Sequence, residues 1–136
     1  MTSLIDIQNE LVGNVKFQVV PIPMTLEDYA SFTLQGVRRL YVDEGIEDSF
    51  LAEYDKTTNT LSRNLSLTEQ EYAWTCAEIN FRNQIKDDLA NITGFTTDAL
   101  SITNADKPYA NAKGTIQALE DRLSKLAFKF THSQVH

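Results

Sequence analysis

Toward the C-terminal end, Tyr109, Ala112, Ile116, Leu119, Leu123, Leu126 and Phe130 follow one another at alternating steps of three and four residues. On an α-helix that spacing gathers all of them on one stripe, the a/d pattern of helix-on-helix packing. A helix of about 22 residues is about 33 Å long at 1.5 Å per residue. Alone in water it is marginal, so the stripe must be covered by another surface. Any fold for this chain has to supply that cover.

The rest of the chain reads as further helices around one hairpin. Leu4 to Val12 forms a short first helix with Ser3 and Asp6 at its start, and Gly13 and Asn14 end it. Val15, Phe17 and Val19 alternate with Lys16 and Gln18 as in a strand, before Pro21 and Pro23 impose an extended connector. Thr25 with Asp28 three residues on starts a second helix through Leu34, Val37 and Leu40, and Gly45 caps its end near Asp43 or Glu44. Within that helix Gly36 is a weak point, costing about 1 kcal/mol against Ala.

Phe50, Ala52 and Tyr54, then Leu61, Arg63 and Leu65, alternate with polar neighbours about the turn-prone Lys56-Thr57-Thr58-Asn59, predicting a β-hairpin over about residues 49–65. Thr68 and Glu71 form a capping box, with Leu67 and Tyr72 as its hydrophobic staple, and open a long helix ending between Leu89 and Thr93. That helix carries two apolar stripes: Trp74, Ala77, Phe81 and Ile85 on one, Tyr72, Cys76 and Ile79 on the other. So wide a surface predicts a central helix touching more than one neighbour. An ordered loop anchored by Leu100 and Ile102 leads to Pro108 in the first turn of the last helix, and Thr131 to His136 form a loose tail. The predicted class is mainly α: one domain over residues 1–136, a small helical bundle with a long C-terminal helix and one β-hairpin insertion.

Charge and residue types bound the chemistry. The chain has 12 Lys and Arg against 19 Asp and Glu, a formal net charge of −7. That balance disfavours gripping a nucleic-acid backbone or an anionic membrane. No apolar run approaches the roughly 20 residues of a membrane span. Residues Met1 to Glu10 hold no basic residue, so no secretory signal is expected and the chain reads as made in the cytoplasm.

The lone Cys76 lies within a predicted helix and reads as a small buried hydrophobe. His132 and His136 have a helical metal spacing but sit in the tail without acidic or thiol company. Asp87 and Asp88 are adjacent, so on a helix they do not face each other. The acidic run Asp43, Glu44, Glu47 and Asp48 lacks the oxygen spacing of a calcium loop and reads as a solvated helix end. No nucleophile–base pair and no phosphate-cradling loop is present, so neither enzyme activity nor a cofactor is expected. Arg38 and Arg39 read as surface groups paired with Asp43 or Asp28, or as donors across a subunit interface.

The order of these signals resembles a known family. Ile22-Pro23-Met24-Thr25-Leu26-Glu27-Asp28 leads to Leu40-Tyr41-Val42-Asp43-Glu44-Gly45, and the turn phrase Tyr54-Asp55-Lys56-Thr57-Thr58-Asn59-Thr60 follows. Leu65-Ser66-Leu67-Thr68-Glu69-Gln70-Glu71, a long helix, Leu100-Ser101-Ile102-Thr103 and the heptad helix complete the series. Over about residues 20–130 this layout is similar to the small neck, or head–tail connector, proteins of tailed bacteriophages. The resemblance implies a structural virion protein that assembles as a homo-oligomeric ring, commonly twelve-fold, between the portal protein and the tail or other neck proteins. DNA would pass through its channel without specific binding. It implies no catalytic residues.

On that expectation Phe50, Leu61, Tyr72, Trp74 and Phe81, with Arg38 and Arg39, are the candidate subunit contacts. The alternative is a small dimeric adaptor or regulator whose heptad stripe pairs with its twin across a two-fold axis. Sparse flanking charges, mainly Lys113, Glu120 and Lys129, make that seam weak.

Overall fold

A computed structural model describes residues 1–95, 111 and 113–127. The chain is mainly α. In order come strand β1 (Thr2–Ser3), helix α1 (Leu4–Val15), helix α2 (Leu26–Asp43), a 3₁₀ turn (Glu47–Ser49) and helix α3 (Phe50–Glu53). Strands β2 (Tyr54–Asp55) and β3 (Thr60–Leu61), helix α4 (Leu67–Phe95) and helix α5 (residues 113–127) follow. The ordered loop expected at Leu100 and Ile102, Pro108, the tail histidines, and Tyr109, Ala112, Lys129 and Phe130 of the heptad helix lie outside the described residues.

Helix α2 starts as its sequence predicts. Thr25 Oγ1 accepts from the Asp28 N–H at 3.2 Å, and the Asp28 carboxylate accepts from the Thr25 N–H at 2.8 Å. The helix stops where Gly45 takes a φ of 75°. Helix α1 runs to Val15, past Gly13 and Asn14, because its buried stripe of Leu4, Ile7, Leu11 and Val15 outweighs the weak helix propensity of that pair. Ser3 stands at its N-cap position but makes no side-chain cap bond. Val15 therefore ends a helix, and no strand forms at 15–19.

Helix α4 is capped by Ser66 rather than Thr68. Ser66 Oγ accepts from the Glu69 N–H at 3.1 Å, and Glu69 Oε1 accepts from the Ser66 N–H at 2.9 Å. Leu67 is 74% exposed, so the expected staple with Tyr72 does not form. The far end of α4 reaches Phe95, past the expected stop.

The hairpin is shorter than expected and holds a third strand. Phe50 to Glu53 are a helical turn, so only Tyr54–Asp55 and Thr60–Leu61 pair. The turn closes at Asn59, whose φ of 56° is tolerated by a short polar side chain that accepts from the Tyr54 hydroxyl at 2.9 Å. β1 pairs antiparallel with β3, giving the order β1-β3-β2. Thr2 Oγ1 donates to the Arg63 carbonyl and accepts from the Leu65 N–H, both at 2.9 Å, which fixes the N-terminal strand to the hairpin's exit.

The core lies in two blocks along the α2–α4 interface. One block joins Leu4 and Ile7 of α1, Val37, Leu40 and Tyr41 of α2, Phe50, Leu61, and Tyr72, Ala73, Cys76 and Ile79 of α4 to Leu123 and Leu126 of α5. The other joins Leu11, Val15, Phe32, Ala77, Phe81 and Ile85. Helix α4 thus meets α1, α2 and α5, as its two stripes predict. Both stripes are covered within one chain.

Candidate interaction surface

The single chain uses most of the expected contact residues in its own core. Leu61 and Phe81 are fully buried, and Tyr72 and Phe50 are nearly so, at 3% and 5% exposure. This corrects the expectation that they meet a neighbouring copy. The physical reason is α1, which is longer than its sequence signal and lays Leu11 and Val15 over the Phe81 side of α4. Phe81 is also held by Tyr29, stacked at 6.0 Å between centroids, and by Phe32, edge-on at 6.1 Å. Phe50 stands edge-on to Tyr41 at 5.4 Å and stacks on Tyr54 at 5.2 Å, so the hairpin packs within its own chain. Trp74 is half-buried against the same core.

The described part of the heptad stripe packs internally as well. Leu123 and Leu126 are buried, and Ile116 and Leu119 pack against the first core block. A two-fold seam along this stripe would have to strip it from its own core. Arg39 pairs with Asp43, one of its expected partners, with Nε 3.5 Å from Oδ2, and also reaches Glu120, with Nη2 3.2 Å from Oε2. Arg38 stays exposed, its guanidinium carbon 5.3 Å from the Phe50 ring centroid.

A second ionic group was not legible in the sequence. Arg63 Nη2 sits 3.0 Å from Glu44 Oε2 and also bonds Glu69, while its guanidinium carbon lies 5.3 Å from the Tyr41 ring centroid. The Arg63 Nη1 is buried without a hydrogen-bond partner. Two carboxylates thus share one cation at the meeting of α2, the hairpin and α4. Burial, then the hydrogen bond to Glu69, pushes the Glu44 carboxyl up to about 7 against the pull of Arg63. Burial acts on Glu69 too, but the Glu44 hydrogen bond, the Ser66 N–H and the Arg63 charge outweigh it and hold that carboxyl below its usual range.

Burial pushes the Cys76 thiol up to about 12, so it packs as a hydrophobe and is no nucleophile. Asp88 is buried and accepts from Gln84 Nε2 at 2.9 Å, while its neighbour Asp87 is exposed. Among the described residues no group of three or more His, Cys, Asp or Glu could hold a metal, and no helix is long and apolar enough to cross a membrane.

Among the described residues, Met1, Ile5 and Leu67 are exposed singly, and two stretches expose several apolar side chains. The first is the connector after α1. Gln18 holds it to α4 by accepting from Arg82 Nη1 at 2.9 Å, and Val20 and Met24 turn inward onto the second core block. Phe17 and Val19 turn outward, 88% and 84% exposed, with Ile22 and Leu26 further along at 53% and 74%. The prolines keep this segment out of helix and ladder, and these four side chains stay exposed along it. The second surface is a groove of about 300 Å³ at the far end of α2, walled by Arg38, Val42, Glu47, Asp48, Phe50 and Leu51. Leu51 and Val42 are 80% and 52% exposed on its edge. Exposed apolar side chains grouped in this way mark interaction sites more often than scattered ones do. Comparison with family models, curated proteins and solved structures finds no match for this chain.

Proposed function

We propose that this chain is a structural neck protein of a tailed bacteriophage, one copy of a ring set between portal and tail through which DNA passes. Two things support the reading. The ordered phrases over residues 20–130 resemble those of phage connectors. The observation that carries assembly is the surface: a chain whose core is closed still exposes Phe17, Val19, Leu51 and Leu26 at 88%, 84%, 80% and 74%. The net charge of −7 fits a channel protein that must release the DNA it surrounds. Copies made in the host cytoplasm would end in the virion.

A two-fold adaptor is less favoured, since Leu123 and Leu126 of the stripe it needs are buried in the chain's own core.

Mass spectrometry of purified phage particles encoding this chain tests the proposal. The chain is expected in the particles together with portal protein, and its gene among those for portal, capsid and tail. Particles that lack it would overturn the reading.

A further inference from the structure

We propose that Glu44 and Glu69 share one proton over Arg63, and that this proton clasps the end of α2 to the hairpin exit and the start of α4. The inference stands apart from the neck reading and does not rest on it. Both acids bond the same nitrogen: Arg63 Nη2 lies 3.2 Å and 3.0 Å from the two Glu44 oxygens and also bonds Glu69. The carboxyls are thereby brought side by side. Arg63 Nη1, buried without a partner, takes neither. The Glu44 and Glu69 side chains are only 6% and 13% exposed. One cation against two such anions would leave a negative charge away from water, and a proton held between the carboxyls removes it.

The helices decide which acid carries the proton. Glu44 stands at the C-cap of α2, where the carbonyl end of the helix dipole opposes a negative charge. Glu69 lies in the first turn of α4, where the dipole favours one, and its Oε1 accepts from the Ser66 N–H at 2.9 Å. The proton therefore sits on Glu44, which donates to the ionised Glu69. The raised Glu44 carboxyl and the lowered Glu69 carboxyl follow the same division.

The other charged and titratable groups nearby are turned to partners or to solvent. The Tyr41 ring of α2 lies against Arg63, and its hydroxyl donates to Glu53 of α3 at 3.3 Å. Asp43 bonds Arg39 and Tyr72, and Glu71 bonds Arg122. Glu47 and Asp48 of the 3₁₀ turn are exposed. From the β1 side come Thr2, on the Arg63 carbonyl, and the Met1 amino group, on Asn64. Loss of the shared proton sets two anions on one cation, so the clasp loosens as pH rises through about 7.

Carbon-13 NMR of the glutamate side chains, with hydrogen exchange, tests the clasp in the full chain. In wild type one carboxyl is expected to titrate near 7 and its partner below the ordinary range. Opening of the amides of residues 61–71, corrected for intrinsic exchange, is expected to rise about tenfold between about pH 6 and 8. Glu44→Gln keeps a donor toward Glu69 in place of the proton, so its opening should stay flat across that range. Glu69→Gln keeps the Ser66 cap but needs no shared proton, so the Glu44 titration should fall toward 4.5. Circular dichroism checks that both variants fold, and the wild-type titration decides if either does not. Two carboxyls that both titrate in the ordinary range, or wild-type opening that stays flat with pH, would overturn the proposal. So would a Glu44 that still titrates near 7 in Glu69→Gln, since burial alone would then hold the proton. The neck reading is decided separately, by the chain's presence in phage particles.

Discussion

Gly36 packs α2 against α4 at its closest point. A Cβ there would collide with the Ala73 carbonyl oxygen and lie 2.9 Å from the Ala77 nitrogen and 3.2 Å from its Cβ. Helix propensity alone makes Gly36→Ala a gain of about 1 kcal/mol, but the collision is with backbone and cannot be relieved by a rotamer change. Gly36→Ala is therefore expected to destabilise by about 1–3 kcal/mol, as overpacking does, read as a lower urea midpoint. Glu44 supplies a second expectation, in pH. Its folded carboxyl is raised to about 7 from an ordinary 4.5, so the folded chain holds that proton more tightly than the unfolded chain. The stability it contributes is fully present below about 4.5 and is lost as pH rises toward and through about 7. The lowered Glu69 carboxyl works the other way, at lower pH. Thermal melts from pH 5 to 8 should show a declining midpoint in wild type and a flatter profile in Glu44→Gln. Cys76 was legible as a core residue because helical spacing alone places it inside. Neither Gly36's packing nor the Glu44–Arg63–Glu69 group was legible, because each depends on which elements meet in space.

Helix α4 shows where local sequence signals leave a choice. Leu65-Ser66-Leu67-Thr68-Glu69-Gln70-Glu71 contains two overlapping boxes, Ser66 with Glu69 and Thr68 with Glu71. Local chemistry does not decide between them. Starting at Ser66 leaves Leu65 free to be buried, lets Thr2 cap its N–H, and sends the second oxygen of Glu69 to Arg63. Ser66→Ala should cost about 1 kcal/mol in denaturant melts, and Thr68→Ala should change stability by less than about 0.5 kcal/mol. Equal losses at both sites would contradict this choice of start. The helices were legible from their period, and the α2 cap from its box. The hairpin turn was legible from its polar residues. The segment Phe50–Glu53 was not, since four residues fit an alternating strand and one helical turn equally well. Strand β1 was not, because its pairing with β3 bridges almost sixty residues and leaves no local pattern.

Across the whole molecule, the mainly-α class and the central place of α4 followed from the amount of apolar surface the sequence assigns to helices. Which part of that surface faces outward did not follow. The stripes that look most in need of a partner, on α4 and on the described part of α5, find one in their own chain. Among the described residues, uncovered side chains lie instead on the connector after α1, beside a short helical turn, and singly at positions such as Ile5 and Leu67. The surplus is thus displaced from the positions expected in the sequence, and the account of a multi-copy neck depends on it. Native mass spectrometry of the full chain, alone and mixed with a phage portal protein, tests that account most directly. The account predicts one closed assembly with a single copy number that binds the portal. Monomers at every concentration, with and without portal, would contradict it.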